Sequence, residues 1–337
     1  MAVYINGAGV ISPGFSQLNE LIPGNSERLY CDEPDYSSFI DVKAIRRMSR
    51  IIKMGVTSSI LSLKEAGLDK PDAIIVGTAL GCLEDTVSFL NKLVLNKEEL
   101  LNPTAFIHST HNTISSQIAL NLKCMAYNCT YVHRNISFES ALIDAMLLFS
   151  ESSVDTVLVG GIDELTDTSY QILKRLAYYN RSTSAEIIPA GEGSAFFTLS
   201  NKIGLSTKAE LRSVECVSFT SVDEVRDRLS KMLSSANIDS LDLVLSGRTD
   251  REEPSSKPLE IYRDFATSAK VAEYKKFCGE FPTASAFGMH LAATILKSQI
   301  IPAQISIDPI AGKPINNILV HNNFKDVHHS LILLSAC

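Results

Sequence analysis

The stretch SSVDTVLVGGIDE, residues 152–164, is the point from which the rest of the chain can be read. Thr156–Val159 is a short β-prone run that stops at Gly160-Gly161. A helical pattern, Phe138–Ser150, precedes it, and another short strand, Ser194–Leu199, follows. Working upstream, the same grammar continues. Asn128–Val132 reads as a short strand and Thr113–Leu122 as an apolar-faced helix. Ala73–Val76 reads as a strand, followed by GTALG and a helix around Glu84–Val94. Ala44–Leu68 places Ile45, Met48, Ile51, Ile52, Val56, Ile60 and Leu61 near helical spacing. Ala2–Ile5 reads as a buried strand closed by a turn at Asn6-Gly7-Ala8-Gly9. After about residue 200 the pattern restarts. Glu210–Phe219 is strand-like, Val222–Leu233 a helix, Leu241–Leu245 a strand, Thr283–Lys297 a helix, and Ile318–Val320 and Ser330–Leu334 strands. Two strand–helix halves of this kind predict a layered α/β fold divided into residues 1–200 and 201–337.

Composition agrees with a large buried core. The chain has 337 residues, of which 45% are hydrophobic and 20% charged, with no Trp. Its net charge of −7, without a basic cluster, argues against nucleic-acid binding. The seven cysteines are scattered and odd in number, and no pair has CxxC spacing. That usage speaks against a zinc site or a disulfide framework and for a reducing, cytoplasmic compartment. The N-terminal stretch lacks the basic and apolar regions of a signal peptide, and no apolar run approaches the ~20 residues of a membrane helix.

The generic motifs carry little. Asn6-Gly7-Ala8-Gly9 lacks the third glycine of a dinucleotide fingerprint, because position 12 is Ser and Pro13 follows. His108 and His111 are spaced i, i+3, but no carboxylate or cysteine nearby completes a metal set, so they read as a structural pair. No metal or other cofactor is expected. His328-His329 reads as solvent or turn hydrogen bonding, and Tyr274-Lys275-Lys276, taken alone, as a surface feature.

Several segments in order resemble the β-ketoacyl synthases, which have the thiolase fold. VYINGAGVISPG (3–14) resembles that family's first strand, and NPTAFIHSTHNTISSQIAL (102–120) its loop and helix before the nucleophile. SSVDTVLVGGIDE resembles the strand ending in Gly-Gly-x-x-E, and IPAGEGSAFFTLSNK (188–202) the G-E-G-A strand that ends the first half. DLVLSGRTD (242–250) sits where the family has H-G-T-x-T, and KKFCGEFPTASAF (275–287) where it has K-x-x-x-G-H-x-x-G-A-A-G. IIPAQISI (300–307) resembles the strand after that helix, and NNFKDVHHSLILLSA (322–336) the closing N-S-F-G-F-G-G-x-N strand. The resemblance spans nearly the whole chain, which is somewhat short for the family. It implies a five-layered α/β/α/β/α sandwich built from two pseudo-duplicated halves.

The resemblance also implies where the chemistry would sit. The family uses a cysteine nucleophile, two histidines and a supporting lysine. By the family's spacing the nucleophile position is Asn135, the two histidine positions are Ser246 and Glu280, and the lysine position is Lys275, unless that is a surface lysine. The gate-loop position is Lys325–His328, with Asp326 in place of the gating aromatic and Phe324 retained before it. No Cys lies between Cys129 and Cys216, and no His between His133 and His290. His290 reads as a helix-surface or packing residue. These substitutions resemble the chain length factors, the non-catalytic partners in ketosynthase heterodimers of aryl-polyene, flexirubin-like and aromatic polyketide pathways. The family's dimer pairs the strand before the nucleophile with its two-fold mate, which places Cys129 and Tyr131 at an interface. Phe106, Ile107 and His108 would then lie beside the partner's acyl tunnel. The expected partner is an intact β-ketoacyl synthase or a second copy, with an acidic acyl carrier protein engaged only indirectly. A −7 subunit suits that arrangement, though it is also an ordinary charge for a soluble protein. An enzyme with altered chemistry, using Asn135, Glu280 or Ser246, and a homodimeric acyl-chain-binding protein are the alternatives.

Overall fold

Alternate residues of the central strands enter different cores, which is why these strands read as continuous apolar runs. In β4 (Thr156–Asp163), Val157 and Val159 join one apolar cluster while Leu158 and Ile162 join another. In β10 (His328–Ser335), Ile332 and Leu334 join the first of these while Leu331 and Leu333 join a third. A sheet packed on both faces in two places, with one shared middle cluster, gives five layers. The computed structural model describes residues 1–14, 21–24, 26–99, 101, 103–151, 153–176, 178–179, 189–247, 261–262, 265, 270–305, 313–325 and 327–337.

The other strands are β1 (Tyr4–Ile11), β2 (Ala73–Gly77), β3 (Tyr127–Tyr131), β5 (Gly193–Ser200), β6 (Ala209–Ser218), β7 (Leu243–Gly247), β8 (Lys270–Glu273) and β9 (Asn317–Phe324). They form a ten-stranded sheet in the order β3-β2-β4-β5-β1-β6-β10-β9-β7-β8. Read from its two ends the order is the same, with β6 to β10 taking the places of β1 to β5. The senses also repeat: β2 runs parallel to β3 and β4, and β7 to β8 and β9. β5 is antiparallel to β1 and β4, as β10 is to β6 and β9. Among the described residues the sheet crosses from one half to the other by pairing Tyr4–Ile5 of β1 with Ala209–Glu210 of β6.

Among the described residues ten helices fill the layers: α1 (Val42–Ile45), α2 (Arg50–Ala66), α3 (Leu83–Leu95), α4 (Pro103–His108), α5 (Thr113–Leu122), α6 (Ser137–Ser150), α7 (Asp167–Arg175), α8 (Val222–Ser235), α9 (Lys275–Cys278) and α10 (Ala284–Ser298). α2 and α5 cover the outer face of the first half through Ile51, Met54, Ile114 and Ile118. α8 covers that of the second half through Val225, Leu229 and Leu233. α6 and α10 lie between the halves, and Phe138, Ala141 and Phe149 of α6 share one cluster with Ala292, Ile295 and Leu296 of α10. This is the layered, pseudo-duplicated α/β sandwich expected above. No helix among the described residues is long and apolar enough to cross a membrane, and all seven cysteines are free thiols.

Three local expectations are corrected. Asn6-Gly7-Ala8-Gly9 is not a turn but the middle of β1, whose register shifts between Ile5 and Gly7. The glycines are needed because α2 lies against the strand: a Cβ on Gly7 would stand 2.1 Å from the Ser62 carbonyl oxygen, and one on Gly9 2.0 Å from that of Ser58. The expected helix Ala44–Leu68 is two helices, because the chain breaks after Ile45 and Ser49 takes the N-cap position of α2. Residues 300–302 have no regular structure and 303–305 form a turn rather than a strand, and 306–307 lie outside the described residues.

Candidate functional site

The candidate site is assembled where β3 hands over to α6. Arg134 adopts φ +53°, a left-handed backbone unusual for a residue with a side chain. The next residue, Asn135, is thereby set at the head of α6 and is 5% exposed. Its Nδ2 donates to the Tyr178 hydroxyl at 3.2 Å. Tyr178 in turn packs against Phe324, ring centroids 5.1 Å apart, and Lys325 holds its ammonium 5.4 Å from the Tyr178 ring centre. Lys325 (φ +52°) and Phe219 (φ +56°), whose amide donates to the Val327 carbonyl at 2.7 Å, are also left-handed. Three of the eight non-glycine residues with left-handed φ among the described residues are thus Arg134, Phe219 and Lys325, the others lying elsewhere in the fold.

The second half of the sequence supplies a buried ion pair. Gly279 ends α9 with φ +80°, and its backbone approaches Gly191 so closely that a Cβ would lie 2.5 Å from the Gly191 Cα. This approach is pinned by hydrogen bonds from the Glu280 amide to the Pro189 carbonyl (2.7 Å) and from the Gly191 amide to the Glu280 carbonyl (3.0 Å). Glu280 is thus delivered inward, where Lys275 Nζ donates to its Oε2 at 3.0 Å, the two side chains being 1% and 2% exposed. Lys275 is therefore not a surface lysine, and Tyr274 beside it is fully buried. Burial, followed by the nearby Glu280 charge, pushes the Tyr178 phenol well above its ordinary range. Asn135 and Glu280 thus both act on Tyr178.

Ser246 closes β7 and is buried; its carbonyl accepts from the Tyr274 amide at 3.2 Å, and the Tyr274 hydroxyl donates to Asn322 Oδ1, also at 3.2 Å. Asp326 lies outside the described residues, as do 248–250. Phe106 and Ile107 stand on α4 more than half exposed, with Phe106 against Phe89. Cys129 and Tyr131 lie on β3, at the edge of the sheet. The structure thus gathers Asn135, Lys275, Glu280 and Phe324 around Tyr178, puts Ser246 one residue contact away through Tyr274, and leaves the α4 and β3 residues on other surfaces. His290 is a packing residue, buried in α10, where burial lowers its pKa to about 3. His329 is likewise buried, with its Nδ1 3.1 Å from His321 Nε2, so only His328, bonded to Ser218 at the surface, fits the expectation for that pair.

Sequence reading missed Tyr178, Glu139 and Asp163. Tyr178 gave no motif. Glu139, on the inward face of α6, accepts from Ser330 at 2.7 Å, and burial raises its pKa. A charged residue between Phe138 and Ala141 was the available signal. Asp163 ends β4 and accepts from Thr78, Ala79, Leu80 and Thr283 at 2.9–3.1 Å, tying the first half to the head of α10. Burial pushes it up to about 6 against the pull of these bonds. Among the described residues no group of three or more His, Cys, Asp or Glu side chains is placed to hold a metal ion.

Residues 26–232 match the β-ketoacyl synthase N-terminal domain model. The chain belongs to the β-ketoacyl synthase family. The fold of this ketosynthase-family chain is similar to that of the ishigamide ketosynthase/chain length factor, with a TM-score of 0.79 at 16% identity over 100% of this chain and 99% of that one. A β-ketoacyl synthase from Burkholderia phymatum gives 0.81 at 14% identity, with the same coverage. A ketosynthase solved in complex with its type II polyketide acyl-carrier protein gives 0.79 at 15%, again covering 100% and 99%. No curated protein matches the chain by sequence.

Proposed function

We propose that this chain is a non-catalytic ketosynthase-like subunit of the chain-length-factor type. It pairs with an active β-ketoacyl–carrier-protein synthase in fatty-acid, polyketide or aryl-polyene-type biosynthesis. The reading is carried by the content of the site: an amide, Asn135, at the head of α6, and a carboxylate, Glu280, already neutralised by Lys275. An amide cannot take up an acyl group as a cysteine thiolate does in forming a thioester, and an occupied carboxylate is a poor replacement for a polarising imidazole. The sheet edge supports pairing. β3 ends the strand order with β2 as its neighbour, and Leu120, Met125, Tyr127, Val132 and Leu147 on or beside it are exposed apolar side chains. An open apolar edge is an aggregation hazard unless a partner covers it.

Co-expression with intact ketosynthases followed by pull-down tests the partner. A stable complex that Tyr131→Asp abolishes supports the reading; a chain that stays monomeric at micromolar concentration, alone and in every co-expression, ends it. Incubation with acyl- and malonyl-carrier thioesters tests the chemistry. The expected result is no acyl adduct and no decarboxylation by the isolated wild-type chain, and no decarboxylation or condensation by Asn135→Cys, where Ser246 and Glu280 still stand at the histidine positions. A homodimer is distinguished by Cys129, the middle residue of β3. A two-fold axis beside Cys129, between β3 and its copy, would set the two thiols opposite each other with Cβ atoms about 4.5 Å apart, so mild oxidation would cross-link such a homodimer and not a heterodimer.

A further inference from the structure

The loop that follows α7 lies over the head of α6. Tyr178 in that loop is half-buried, and Asn135 behind it is 5% exposed. The Tyr178 hydroxyl accepts from Asn135 Nδ2 at 3.2 Å. A reacting carbonyl has to come within about 3–3.5 Å of the group that attacks it. The phenol oxygen therefore stands where a thioester carbonyl would have to arrive.

The tyrosine is held there from both sides. Its ring packs against Phe324 at the end of β9 and edge-on against Tyr179, with centroids 5.1 Å apart in each case. Tyr179 stacks on Tyr170 of α7 at 5.7 Å, with 27° between the ring planes. Tyr170 is 5% exposed and donates its hydroxyl to Glu27 Oε2 at 2.7 Å, an oxygen that also receives Lys174 Nζ at 2.8 Å. The Arg28 guanidinium lies 4.7 Å from the Tyr170 ring centre. At the other end the Lys325 ammonium covers both Tyr178 and Phe324, 5.4 and 5.7 Å from their ring centres. Four rings thus run in contact from β9 to α7, whose first turn is fixed by a capping box between Thr166 and Ser169. Moving Tyr178 aside means breaking its contacts with Phe324, Tyr179, Lys325 and Asn135 together.

We propose that this aromatic strap is a built-in closure, which keeps a carrier-borne thioester from reaching Asn135 and leaves acyl groups to load on the active partner alone. The closure rests on the reading of a non-catalytic subunit for the ligand it excludes, yet it is separable from it. That reading turns on what Asn135 and Glu280 can do, and the strap on what can reach Asn135.

The test uses a thiol as a reporter of access. In Asn135→Cys, alkylation of position 135 by iodoacetamide is followed by mass spectrometry of its own peptide, apart from the native thiols such as the exposed Cys337. Rates are measured across pH and compared as thiolate rates, so that a shifted thiol pKa does not count as access. With the strap intact, the native chain should react at least about tenfold more slowly than the urea-unfolded chain. Adding Tyr178→Ala should raise the native rate about tenfold or more, whereas Tyr178→Phe, which keeps the ring, should leave it within about twofold. Tyr170→Ala, two rings away from Tyr178, should raise it several-fold. Thermal melts check that the variants are folded. A native Asn135→Cys chain that reacts as fast as the unfolded one overturns the proposal, and needs no further variant to do so. An unchanged rate in folded Tyr178→Ala or folded Tyr170→Ala overturns it as well. Acyl uptake by the wild-type chain would instead end the non-catalytic reading, and these rates do not depend on it.

Discussion

Glu280 and Lys275 show how much one position governs the others around it. A lysine ammonium 1% exposed is tolerable only beside a carboxylate. Glu280→Ala leaves that charge buried and should cost about 3–5 kcal/mol, read as a lowered urea midpoint with an unchanged slope. The pair also explains why sequence reading left Lys275 open between a site lysine and a surface one. The spacing to position 280 suggested a site, but nothing in Tyr274-Lys275-Lys276 records which of two adjacent lysines turns inward. Glu164 gives a pH-dependent expectation. Burial raises its folded pKa to about 7, above the ordinary carboxylate value of 4.5, so the native form holds its proton more tightly than the unfolded chain does. The stability this contributes is complete below about pH 4.5 and is lost as pH rises through 7. Glu164→Gln removes the loss, so the variant should match wild type at pH 4.5 and exceed it by roughly 3 kcal/mol at pH 8, measured by urea unfolding at both values.

Among the elements, β1 was read least well. Its apolar start at Ala2–Ile5 was legible, but two glycines in four residues are the ordinary sign of a turn. Whether a glycine bends the chain or lets another element approach depends on what lies above it, and α2 is more than forty residues away along the chain. Gly9→Ala tests this. The added methyl would sit 2.0 Å from the Ser58 carbonyl oxygen and 2.7 Å from the Leu61 Cβ, so α2 must move off the strand. A loss of at least ~3 kcal/mol, or failure to fold, is expected in thermal and urea unfolding, whereas Gly67→Ala, with open space around its Cβ position, should cost less despite its φ of +70°. The central strands β4, β5 and β10 were legible because two-sided burial leaves a continuous apolar run. The gap between α1 and α2 was not, since Met48 and Ile51 keep the apolar spacing across it.

At the scale of the whole molecule the pattern of two similar halves was legible and their joining was not. The restart after residue 200 corresponds to the repeated strand order, but no residue announces that the sheet continues from one half to the other through two residues of β1 and two of β6. The candidate positions could be named in the sequence, because flanking segments fix the spacing to Asn135; that Tyr178 bonds to Asn135 could not, because it arrives from a loop. If the chain sets product length for an active partner, the exposed Phe106 on α4 is where the effect would arise. Phe106→Ala in the heterodimer should lengthen the products, seen by mass spectrometry of extracted chains, with the pull-down yield unchanged. The position of β1 has another consequence, in time. It leaves the ribosome before β2 to β10, yet its long antiparallel partner, β5, begins only at Gly193. At about 5–20 residues per second, β1 waits roughly 10–40 s for that partner to be synthesised. During translation, then, a future centre of the sheet is an unpaired, glycine-interrupted segment within reach of chaperones. Changes that make it more β-prone would be felt first in the yield of nascent chains, before any difference in the stability of the finished protein.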